Sequence, residues 1–62
     1  MNEPKKGVDV LVEYANGEFD IIEIRRPNMS PGWRMGRQEF ATWPEVESQL
    51  TGFKIHEITE IA

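Results

Sequence analysis

The chain has 62 residues, no cysteine, one histidine and a net charge of −4. That length supports one small domain, which buries only ~60% of the surface of its unfolded chain and holds together without disulfides. The composition excludes a thiolate or histidine-rich zinc site. No stretch reaches the ~20 apolar residues of a membrane span, and the first residues lack a signal-peptide core. The expectation is therefore a cytoplasmic protein, with host cytoplasm the equivalent place for a viral one.

Residues 1–6 carry no apolar pattern and read as a flexible tail, leaving 7–62 as a single globular domain. Strands are expected at 7–14 and 18–25, around Asn16-Gly17, a strong short hairpin signal. A two-residue turn there pairs Val12 with Ile21 and sets Val10 against Glu23, which is poor. Alternation on the second strand breaks at Ile21-Ile22, so a β-bulge is expected at that point. The bulge places Asp9 near Arg25, while Glu13 remains opposite Asp20. It gathers Val10, Val12, Tyr14, Phe19, Ile22 and Ile24 on one apolar face.

Residues 26–32 read as a loop stiffened by two prolines. Residues 33–40 read as a third strand, interrupted by Gly36. Thr42 and Glu45 have capping-box spacing, Pro44 suits a first turn, and Trp43, Val46 and Leu50 form one stripe. The spacing predicts a helix over 43–51 with Gly52 just past its end. The close, 53–61, reads as a last strand. Phe53 and Ile55 share a face that Ile58 leaves, so this strand too is expected to kink or bulge. The fold class is α+β: a small antiparallel sheet of three or four strands, in the order ββ(β)αβ, with one short helix on one face. The helix stripe should meet the hairpin's apolar face and parts of Phe53, Ile55 and Ile58.

Function is less legible. The chain has no phosphate loop, nucleophile elbow or metal-ligand spacing, and His56 sits on an expected surface strand among Lys54, Glu57 and Glu60. No catalytic residue, cofactor or metal is expected, and the chain reads as a non-enzyme. Charge is segregated instead. Residues 1–24 sum to −4, residues 39–62 to −4, and residues 25–38 to +4, through four arginines without an acid. The run "RRPNMSPGWRMGR" also concentrates tryptophan and methionine, which with arginine are enriched at interface cores. The expected function is a non-catalytic protein-binding module, a small inhibitor or adaptor. Segment 25–37 would be its contact surface toward an acidic partner. The candidate contacts are Arg26, Met29, Trp33, Arg34, Met35 and Arg37, with Trp33 weighed equally as a core residue. The alternatives are a nucleic-acid contact through the same arginines and Trp33, and a homodimer joined through an exposed sheet edge.

Ser30-Pro31-Gly32-Trp33-Arg34, after a hairpin and before a helix, is similar to the MbtH-like proteins, small activators of adenylation enzymes. The Ser-Leu-Trp-Pro motif of that family is missing here, and a strand is expected after the helix where that family has none. The chain is not assigned to it. The ββαβ order in a short acidic chain also resembles a small phage-encoded inhibitor of host RNA polymerase. Both likenesses imply a non-enzymatic adaptor.

Overall fold

A computed structural model describes residues 2–28 and 31–61. The elements are β1 (Val8–Glu13), β2 (Phe19–Arg25), β3 (Trp33–Met35), β4 (Gln38–Phe40), α1 (Trp43–Gln49) and β5 (Lys54–Glu60). The strands form one antiparallel sheet in the order β4-β3-β2-β1-β5. The α+β class holds, with five strands rather than three or four. The difference arises at Gly36. This residue turns the chain at φ +60°, and Met35 pairs with Gln38 across it, so 33–40 is a hairpin and not one strand.

The first hairpin departs from expectation at its turn. The Gly17 N–H donates to the Tyr14 carbonyl at 3.0 Å, and the Tyr14 N–H to the Glu18 carbonyl at 2.8 Å. Ala15, Asn16 and Gly17 therefore form a three-residue loop, with Gly17 left-handed at φ +84°. This is the turn in which the third residue supplies the extra bulge position. The added residue shifts the register by one from the start. Val8 faces Ile24, Val10 faces Ile22 and Leu11 faces Ile21 in an unbroken ladder. The bulge expected at Ile21-Ile22 is absent because the turn has already made the correction. Asp9 lies opposite Glu23, not Arg25, and Glu13 opposite Phe19, not Asp20.

β1 is central, paired on both sides, and alternates cleanly. Val8, Val10 and Val12 are fully buried, while Asp9, Leu11 and Glu13 face the other way. On β5 the pairing slips between Val12↔Ile55 and Leu11↔Glu57, so His56 is the extra residue. This is the irregularity expected between Ile55 and Ile58. It returns both isoleucines to the inner face, against the core.

The helix covers that inner face. Trp43, Val46 and Leu50 are buried as expected, against Val8, Val10, Val12, Ile24 and Trp33. Glu45 Oε2 accepts the N–H of Thr42 at 3.2 Å and of Ala41 at 2.8 Å, which satisfies donors at the helix start. The helix ends two residues earlier than expected. Gly52 is not left-handed. Instead the Phe53 N–H closes a turn onto the Leu50 carbonyl at 3.0 Å. Phe53 then meets Tyr14 edge-to-face at 5.3 Å.

Candidate functional site

The expected contact segment is divided between the two faces of the sheet. Trp33 packs in the core at 1% exposure, its ring 4.8 Å from that of Trp43. Its indole N–H donates to Glu3 Oε1 at 3.3 Å. The same carboxylate oxygen lies 3.5 Å from Arg26 Nη1, which also donates to the Pro4 carbonyl at 3.3 Å. The Arg26 guanidinium sits 5.2 Å from the Trp33 ring centre. Arg26 and Trp33 thus tie residues 3 and 4 onto the fold, and neither projects as a free anchor. Trp33 goes inside because so short a chain needs its largest side chain to fill the core. Met35 is half-buried on the same inner side, opposite Ile24. Met29 lies outside the described residues.

Arg34 and Arg37 are exposed. Arg34 stands directly opposite Arg25 on the outer face, an unfavourable like-charge pair in isolation. Each is compensated by an acid, Arg34 by Glu39 at 2.7 Å and Arg25 by Glu23. Arg37 sits at the tip of the second hairpin and has no ion pair among the described residues.

The outer face holds what the sequence reading missed. Phe19 was expected in the core, but the register puts it outside, 57% exposed, beside Ile21 at 64%. Leu11, opposite Ile21, completes an apolar cluster. Asp9, Leu11, Ile21, Glu57 and Thr59 line a shallow groove of about 230 Å³ there. No described element covers this face. The signal was present in the doublet Ile21-Ile22 and the run Val10-Leu11-Val12. Both mark strands that are apolar on both sides, a pattern also consistent with one bulged apolar face.

His56, pushed outward by the bulge, borders this cluster. Its ring lies 5.0 Å from that of Phe19, and its Nε2 lies 2.8 Å from Glu13 Oε2. The His56 hydrogen bond holds the Glu13 carboxyl below the usual carboxylate range. Partial desolvation opposes it and the nearby Lys54 charge assists. The Tyr14 hydroxyl is pushed up by desolvation and by the adjacent Asp20, whose Oδ2 it meets at 3.4 Å. Among the described residues no group of three or more potential ligands converges as for a metal ion. Among the described residues no helix is long and apolar enough to cross a membrane.

The chain matches no known family model, and neither the curated proteins nor the solved structures compared with it yield a match.

Proposed function

We propose that this chain is a non-catalytic protein-binding module, a small inhibitor or adaptor, whose contact surface centres on the open outer face of the sheet. The observation that carries the reading is the exposure of Phe19 at 57% and Ile21 at 64%, contiguous with Leu11, on a face no described element covers. Single exposed apolar residues are ordinary, whereas contiguous ones mark contact sites. A 62-residue domain has little apolar surface to leave outside. Burial against a partner would recover part of the ~1.5–3 kcal/mol that fully burying each large side chain provides.

The arginines take the rim in this reading. Arg25 and Arg34 extend the outer face beyond Ile21 and Glu23, and Arg37 projects from the neighbouring turn. Charged groups in such positions govern encounter rate and register more than affinity. Trp33 is sequestered beneath Arg26, which leaves the nucleic-acid alternative without its stacking platform. Self-association through β5 meets a bulged strand with Lys54, His56 and Glu57 on it, features that protect an edge from pairing.

Affinity capture with two double variants tests the reading. Phe19→Ser with Ile21→Ser should stay folded by circular dichroism and lose the protein recovered by the unaltered chain. Arg34→Glu with Arg37→Glu should slow association with that protein and leave the bound complex largely intact. Full recovery by the Phe19/Ile21 variant would remove the outer face from the account. Recovery that disappears on nuclease treatment would favour nucleic acid instead.

A further inference from the structure

A separate feature lies at the end of the sheet where β1 begins and β2 finishes. The sequence contains two dibasic pairs, Lys5-Lys6 and Arg25-Arg26, far apart in the chain. The first hairpin brings them together. All four cations, with Asn28, line one hollow of about 530 Å³, and among the described residues no carboxylate belongs to its wall. This gathers four of the seven lysines and arginines of a chain whose net charge is −4. Like charges repel, and Glu23 and Glu3 offset only the two arginines, so the charge of the two lysines is what an occupying anion would relieve.

We infer that this hollow is a binding site for a doubly charged phosphoryl group, a phosphomonoester or a diphosphate. The inference does not rest on the outer-face reading. The two guanidiniums are already held: Arg26 by Trp33, Glu3 and the Pro4 carbonyl, Arg25 by Glu23. Glu60 approaches only the Lys5 backbone N–H, at 3.2 Å. The Lys5 and Lys6 ammonium groups have no ion-pair partner among the described residues. Two fixed planar donors and two adjustable ones suit a tetrahedral oxyanion, which offers several strong acceptor oxygens at once. The Asn28 side-chain amide adds a neutral donor. With Arg25 paired to Glu23 and Arg26 to Glu3, the charge of the two lysines is left to balance, which a phosphomonoester at ≈ −1.5 to −2 matches better than a single carboxylate. Among the described residues no aromatic side chain lines the hollow to stack a base. The recognised group is the phosphoryl itself.

The test is an NMR titration of the ¹⁵N-labelled chain with inorganic pyrophosphate. Saturating shifts are expected at the amides of Lys6, Gly7, Arg26 and Asn28. Lys5→Gln with Lys6→Gln should weaken binding roughly tenfold or more, with the melting temperature unchanged or raised, since neither ammonium supports the fold and their mutual repulsion is removed. Shifts that fail to saturate, or that spread equally over Arg34, Arg37 and Lys54, would overturn the inference. So would unchanged affinity in the lysine variant. A parallel titration with single-stranded oligothymidylate separates the sources. Tighter saturation by the oligonucleotide than by pyrophosphate would replace a discrete phosphoryl site with general backbone binding.

Discussion

The two tryptophans occupy adjoining places in the core with different polar endings. Trp33 N–H reaches Glu3, while Trp43 Nε1 is buried without a hydrogen-bond partner among the described residues. An unsatisfied buried donor costs ~1–3 kcal/mol, so removing it offsets part of the packing lost on truncation. Trp43→Phe should therefore destabilise less than Trp33→Phe in denaturant unfolding. Trp33→Ala should cost ~3–5 kcal/mol, enough to unfold a domain of this size. Equal costs for the two Phe variants would place the orphan donor elsewhere. Glu13 supplies a pH-dependent counterpart. Its folded carboxyl is the stronger acid, so as pH falls the unfolded chain takes up this proton first. The stabilisation is complete above the ordinary carboxylate range and is lost as pH falls through the folded value. His56→Ala should flatten the decline in melting temperature as pH falls through and below the ordinary carboxylate range. An unchanged acid limb would mean that the pair does not form.

At the scale of elements, the glycines decide the outcome. Gly17 is left-handed with open space around it, so Gly17→Ala should cost only backbone strain, ~1–2 kcal/mol. Gly52 is neither left-handed nor crowded, and Gly52→Ala should be near neutral in the same melting experiment. Equal effects would contradict the turn geometry. These residues also show what the sequence could and could not disclose. Asn16-Gly17 announces a hairpin, and Thr42 to Leu50 a helix with its buried stripe, because both signals are local. Loop length is less legible. Asn-Gly suits a two-residue loop, but the same glycine serves as the third residue of a longer one. That single residue decides which side of β2 faces the helix. Gly36 was legible as a break in alternation, but the two strands of its hairpin span only three residues each. So short a run leaves no period to read. The basic hollow was hidden for another reason. Its lysines and arginines come from opposite ends of a hairpin, and only the pairing of β1 with β2 unites them.

The whole molecule is asymmetric about its sheet. The sheet has a helix on one face and nothing over the other among the described residues. Ile21 and Ile24 lie on the same strand, yet one is 64% exposed and the other fully buried. Thermal unfolding of Ile21→Ala beside Ile24→Ala measures that difference directly. Ile24→Ala should cost ~2–5 kcal/mol, as a buried truncation does. Ile21→Ala should stay within ~0.5 kcal/mol of the unaltered chain, as an exposed position does. A loss at Ile21 comparable to that at Ile24 would mean that the outer face is already covered in the free protein. The proposed contact surface would then not exist.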